Sequence, residues 1–174
     1  MPQNQFYLNL IVGLAIVDVL KKWIPETLTL KWPNDVYVAD RKIAGILIES
    51  NMRGNTLESS IAGVGLNVNQ VGFSLPKATS LAIETNSTFK LLDIVEELLL
   101  HLEKWYLKLK AGDYEHILNS YHQLLMWRGE ERRFKTDKEE FQGEIVGIDN
   151  HGRLAINHDG SLNYYAVKEV EFVG

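Results

Sequence analysis

The segment Ile61-Ala62-Gly63-Val64-Gly65-Leu66-Asn67-Val68-Asn69 constrains the fold of this chain more than any other. Its apolar residues alternate, as in a β-strand with one face on a core. Ala62, Val64, Leu66 and Val68 then share that core face, and Gly63, Gly65, Asn67 and Asn69 share the opposite one. Glycine weakens a strand interior and often marks a place where a ligand or another backbone comes close. Two readings follow. A flat apolar group lies on Gly63 and Gly65 with Asn67 bonding one of its ends, or a helix of the protein itself packs over the glycines and the amides face solvent.

Upstream, Lys31-Trp32-Pro33-Asn34-Asp35 is followed by Ala44-Gly45-Ile46-Leu47-Ile48-Glu49. Proline fixes φ and has no N–H, so the Lys31 strand must stop, or lie at an edge, by Trp32. Asn34 and Asp35 favour a tight reversal because their side chains bond nearby backbone. Gly45 interrupts a strong strand, and Glu49 falls on its side by the period of two. Alone, each has a plain structural reading: a solvated lysine, two turn formers, a bulge glycine and an edge carboxylate. Short connections usually pair successive strands, which would bring all three features to one side of one sheet.

Periodicity predicts a helix from Phe6 to about Lys22, closed at Ile24-Pro25. Strands follow at Leu28–Trp32, Val36–Val38, Ile43–Asn51 and Thr56–Asn69, with hairpin tips at Asp40-Arg41 and Arg53-Gly54-Asn55. Residues 70–88 read as a looser segment. A helix over Phe89–Lys110 is expected to bury Leu91, Leu92, Val95, Leu98, Leu99, Leu102 and Trp105 as one face. A second helix carries Tyr114, Ile117, Leu118, Tyr121 and Leu125. Beyond Trp127 come short strands at Arg132–Lys135, Glu140–Asp149, Leu154–Asn157, Leu162–Val167 and Glu169–Phe172, with Asn150-His151-Gly152 and Asp159-Gly160 as turns. Such a short meander buries little core alone and suggests a small barrel leaning on the first unit, which divides the chain into 1–127 and 128–174.

The net charge of −5 argues against dominant electrostatic affinity for nucleic acid, and the absence of cysteine removes disulfides, thiolate metal sites and cysteine nucleophiles. The histidines have no zinc spacing, and no Walker loop or G-x-S-x-G elbow is present. Met1-Pro2-Gln3-Asn4-Gln5 has no signal-peptide character, and the apolar run Leu8–Leu20 is broken by Asn9 and Asp18. A cytoplasmic protein without a membrane span is expected.

Taken together, KWPNDVYV, RKIAGILIE, GVGLNVN and Ala78-Thr79-Ser80-Leu81 resemble the biotin protein ligase family over residues 5 to about 127. The resemblance implies an α+β fold: a mixed, mostly antiparallel sheet packed with helices, of class II aminoacyl-tRNA synthetase/biotin ligase type. It also implies a C-terminal SH3-like small β-barrel. Such ligases activate biotin with ATP and Mg2+ to biotinyl-adenylate and pass biotin to a lysine of a carboxylase's biotin carboxyl carrier domain.

By the same resemblance, Lys31 is the catalytic lysine that contacts biotin and the acyl-phosphate. Val36 lines the biotin pocket, Gly63 and Gly65 run along biotin, and Asn67 lies near the nucleotide. Asn34, Asp35, Gly45 and Glu49 shape the site. The family's Gly/Arg-rich loop, which lies upstream of the matching segment, is found nowhere in these residues. The expectations are therefore an incomplete catalytic sheet with an open edge, self-association into homo-oligomers, and weak activation of biotin by this chain alone. No DNA partner is implied, because no helix-turn-helix precedes the matched segment. A non-catalytic module that holds biotin, an adenylate or a carrier domain is the alternative.

Overall fold

The computed structural model describes residues 3–24, 28–54, 56–74 and 76–173. At its centre is helix α1, Gln3–Leu20. Leu10, Ile11, Leu14, Ala15, Ile16, Val17, Val19 and Leu20 are all sealed from solvent, as expected of a helix apolar around its whole circumference. A Cβ at Gly13 would sit 3.2 Å from Leu30 Cδ2 and 3.6 Å from Ile46 Cδ1, so the missing side chain lets α1 press onto the sheet. Both polar interruptions of the helix are used. Asn9 Nδ2 donates to Pro33 O at 2.6 Å, and Asp18 Oδ2 accepts from Trp105 Nε1 at 2.8 Å. The expected closure at Ile24-Pro25 is seen as far as Ile24, whose N–H bonds Leu20 O at 2.8 Å; Pro25 lies outside the described residues.

The sheet on α1 is antiparallel in the order β1 (Leu28–Lys31), β2 (Asp35–Val38), β3 (Arg41–Arg53), β4 (Thr56–Leu66). β1 stops at Lys31, as Pro33 requires, and β4 stops at Leu66, earlier than expected. Its continuation is captured by backbone bonds from Asn67 N–H to Ile43 O and from Leu81 N–H to Asn67 O. The segment read as loose contains α2, Leu81–Thr85, whose first turn is capped by the buried Ser80: its Oγ accepts from Ile83 N–H at 3.2 Å. Ala62 was expected on the core and is exposed instead. It lies along a groove of about 310 Å³ lined by Leu8, Val12, Ile48, Leu99 and Tyr106, where β4 runs past the cover of α1.

Helices α3 (Leu91–Lys110) and α4 (Tyr114–Leu124) also pack on α1. The broad apolar face expected of α3 is not all buried. Ile94, Leu98, Leu102, Trp105 and Leu109 form the stripe against the core, while Leu91, Leu92, Val95 and Leu99 are exposed. A 3.6-residue period gives one stripe to the side facing α1 and α4, and α3 carries more apolar residues than that stripe can hold.

After α4 the chain runs beside β1: Met126 N–H bonds Leu30 O at 3.0 Å, and Leu30 bridges Leu125 in parallel. It then enters a second antiparallel sheet, β5 (Glu131–Lys135), β6 (Glu140–Ile148), β7 (Leu154–His158), β8 (Ser161–Tyr165) and β9 (Glu171–Val173), in the order β8-β7-β6-β5-β9. Asp159 and Gly160 both have positive φ, as a tight hairpin requires. At Gly152, φ is +81° and a Cβ would lie 2.2 Å from the Phe6 ring; its carbonyl accepts from Trp32 Nε1 at 3.0 Å. The second sheet is thus keyed to the turn after β1. No helix among the described residues is long and apolar enough to cross a membrane.

His122 fastens α4 to the second sheet. Its Nε2 accepts from Ile148 N–H at 3.0 Å, and its ring fills the space a Cβ of Gly147 would need. Burial, reinforced by the Arg128 guanidinium, holds the imidazole below its ordinary pKa. The unfolded chain therefore takes up this proton first, so the stability from neutral His122 is complete above about pH 6.5 and is lost as pH falls through the folded value. We expect His122→Gln, which keeps an acceptor but does not titrate, to lose less stability than the parent between about pH 7.5 and 5.5 in urea titrations. Identical pH dependence would remove His122 from this role.

Candidate functional site

Strand register builds the site. Lys31 pairs with Asp35, Asp35 with Gly45, and Gly45 with Gly65; one step along, Leu47 pairs with Gly63. Residues directly opposite in an antiparallel ladder point to the same side. Lys31, Asp35, Gly45, Gly65 and Gly63 therefore share the sheet face turned away from α1. The structure brings together what sequence periodicity placed on separate strands.

The two glycines are not plugged. Among the described residues, a Cβ at Gly65 would meet only Gly45 O, at 3.8 Å, and one at Gly63 only Leu47 O and Cβ, at 3.6 and 3.9 Å. Both residues are exposed, and neither has positive φ, so turn geometry does not explain them. The helix-covered reading of this strand is set aside by these distances.

Gly45 differs. Lys42 Nζ and Asp35 Oδ1 stand 3.2 and 3.4 Å from where its Cβ would be, and the two groups form an ion pair at 2.5 Å. Lys42 reaches this face through a register shift opposite Val36/Tyr37. By strict alternation it would point inward with Ala44 and Ile46; the bulge turns it outward and buries Ile43 instead. Sequence reasoning missed Lys42 for this reason, because a period of two cannot foresee an extra residue.

Lys31 is half-buried and forms no hydrogen bond or ion pair with any described residue. Its ammonium lies 5.4 Å from the centre of the Tyr37 ring and 5.0 Å from that of Phe172. Burial holds it below the ordinary lysine pKa; Asp35 works against this shift, and Lys77 and Lys42 add to it. A cation without a bonded counter-ion among the described residues, on the same sheet face as an open glycine floor, is suited to meeting a negative group on an elongated ligand.

The other expected residues take different places. Asn34 Nδ2 donates to Ile46 O at 2.6 Å and its carbonyl accepts from Ile46 N–H at 2.9 Å, so it locks the turn onto β3. Asn67 is half-buried and donates to Thr79 O at 3.0 Å. Asn69 clamps the Phe89 backbone through both ends of its amide, at 2.8 and 3.0 Å, and is no ligand group. Glu49 is exposed opposite Ile61, at the far end of β3 from Lys31. Val36, expected to line the biotin pocket, lies on the inner side of β2. It is fully buried, and its partner Ala44 is buried with it, because even positions of β2 face α1 and the Lys31 face takes the odd ones. Among the described residues, no group of acidic or histidine side chains could hold a metal ion.

The Biotin/lipoate A/B protein ligase family matches residues 3–67, the span that holds β1 to β4 and the glycine floor. The chain is 28% identical over 169 residues to the bifunctional ligase/repressor BirA of Bacillus spizizenii, covering 94% of this chain and 52% of that protein. It is 28% identical to the biotin–[acetyl-CoA-carboxylase] ligase of Paracoccus denitrificans, covering 96% of this chain and 73% of that one. By these matches the chain is similar to biotin protein ligases. It spans about half the length of the Bacillus relative. The fold agrees: the biotin protein ligase of Aquifex aeolicus superposes with a TM-score of 0.80 at 24% identity, covering 98% of this chain and 75% of that one. The mixed helix and antiparallel-sheet architecture is that of biotin ligases.

With no positive φ and open space above both positions, Gly63→Ala and Gly65→Ala should leave stability unchanged or raise it by up to about 1 kcal/mol through the unfolded chain. Urea unfolding checks this. A loss of several kcal/mol would mean that the protein itself fills the floor.

Proposed function

We propose that this chain carries the biotin-activating face of a biotin protein ligase, acting on biotin and ATP and then on the lysine of a carrier domain. The observation that carries the reading is the shared face of Lys31, Gly65 and Gly63. Biotin's fused ring system lies along the two glycines, and its carboxylate approaches the Lys31 ammonium. A carboxylate oxygen then attacks the α-phosphorus of ATP and pyrophosphate leaves. The carrier amine later displaces AMP from the acyl carbon. Lys31 offsets the negative charge that gathers as carboxylate and phosphate meet, in a half-buried setting where that offset is stronger than in water. Asn34 and Asp35 hold the turn and Lys42 in shape, and Asn67 flanks the nucleotide end. Mg2+ would accompany ATP, held by its phosphate oxygens and water, and would offset phosphate charge.

The finer architectural reading accompanies this. Residues 1–127 form a partial catalytic domain of class II synthetase type. The five-stranded sheet of residues 128–174, where β9 returns beside β5, is an SH3-like barrel. The setting is cytoplasmic, and the carrier partner is a biotin carboxyl carrier domain. We assign no DNA partner. The repressor half of the Bacillus protein's name is not extended to this chain, whose net charge of −5 repels a phosphate backbone on average.

Two properties of the 174-residue chain follow. It contains no Gly/Arg-rich loop to hold phosphates, so alone it activates biotin weakly. The outer edge of β4 pairs with no strand among the described residues, and this favours homo-oligomers. A biotin-dependent ATP–pyrophosphate exchange assay tests the first; turnover equal to that of an intact ligase would overturn it. For the second, light scattering should show mass rising with concentration, and a constant monomer mass would count against it.

The central test is Lys31→Ala. It should weaken binding of a sulfamoyl analogue of biotinyl-adenylate about tenfold or more, as expected for loss of a charge-assisted contact worth roughly 1.5–3 kcal/mol, with little change in unfolding midpoint. Affinity lost only in step with unfolding would make Lys31 structural. Unaltered binding would dismiss the reading, and the non-catalytic module would then rest on whether biotin binds at all.

A further inference from the structure

The C-terminal sheet reaches the candidate site at one side chain. Phe172 of β9 is half-buried, and its ring centre lies 5.0 Å from Lys31 Nζ, with the Tyr37 ring centre also close, at 5.4 Å. Both distances are within the roughly 6 Å over which an ammonium is attracted to an aromatic face. The arrangement is anchored from behind. Phe172 packs on Trp127 at 5.5 Å and edge-on against Phe134 at 5.6 Å, and Phe134 is fully buried in the second sheet. Trp127 directly follows the linker that Met126 ties to Leu30, one residue from Lys31. The Arg132 guanidinium covers Trp127 at 5.0 Å. The ring beside Lys31 is therefore set by the docking of the second sheet on β1.

We infer that Phe172, with Tyr37, forms an aromatic slot that holds the Lys31 ammonium toward the glycine floor, making the C-terminal sheet a positioning element of the reaction site. This rests on the reading of Lys31 given above. The slot answers a specific problem. A lysine stem has four rotatable bonds, and an ammonium in contact with a carboxylate would be fixed but neutralised. Asp35, the cross-strand partner of Lys31, is engaged by Lys42. Two ring faces restrict the ammonium without a counter-charge and leave its N–H donors for a ligand. Phe172 touches no reacting atom in this scheme; it acts through Lys31.

Lysine side-chain NMR on the whole chain tests this, with the Lys31 signals assigned by their loss in Lys31→Arg. The Lys31 ε-methylene protons should be shifted upfield by the rings. Phe172→Leu, which keeps apolar bulk but removes the π face, should abolish much of that shift, and Phe172→Tyr should retain it. Tyr37→Leu, outside the second sheet's core, should remove the other part even if Phe172→Leu folds poorly. In calorimetry, Phe172→Leu should weaken the sulfamoyl analogue of biotinyl-adenylate about five- to tenfold, with Phe172→Tyr near the parent value. A ring shift that does not depend on Phe172 or Tyr37 overturns the slot whatever the ligand does. Parent-like affinity in Phe172→Leu beside a weakened Lys31→Ala overturns the positioning role alone. Parent-like affinity in Lys31→Ala, or no binding by the parent, sinks the functional reading instead and leaves the NMR result to decide the slot.

Discussion

The close approach of α1 to the first sheet is the contact on which the remaining geometry depends. A helix with apolar residues around its circumference has no stable place except between layers. By burying Leu10, Leu14 and Val17 it fixes which face of β1, β2 and β3 is the inner one. The opposite face is thereby left to whatever the strands carry there, and they carry a lysine, an acid and a line of glycines. The chemistry faces outward because the helix has claimed the other side.

The same helix also fixes the site's position along the strands. Asn9 holds the carbonyl of Pro33, and Phe6 occupies the hollow that Gly152 provides. One turn of α1 therefore meets both the bend after Lys31 and the second sheet. A half-buried amide with a single good partner costs little in net stability but is expensive to leave unpaired. This is a physical reason for an asparagine to sit in an otherwise greasy helix.

Much of this was legible in the residues, because alternation and turn chemistry are local. The helix, the hairpins, the end of β1 before Pro33 and the bare face at Gly63 and Gly65 all follow from short-range pattern. What escaped was set by register or by distant packing. Lys42 was hidden by a bulge, which a period of two cannot foresee. The exposed leucines of α3 read as core because periodicity counts apolar residues without knowing how many neighbours will cover them. Phe172 lies 141 positions from Lys31 by residue number, and no local signal links them.

The ion pair above Gly45 bears on the shape of whatever binds. Along the cross-strand line, Lys31 and Gly65 are three strands apart, about 14 Å at ordinary sheet spacing, and the neutralised Asp35–Lys42 couple stands between them. A compact, round molecule could touch one end or the other but not both. An elongated one is required, apolar and planar where the backbone is naked and anionic at its far tip, with a waist that passes over a spot already balanced in charge.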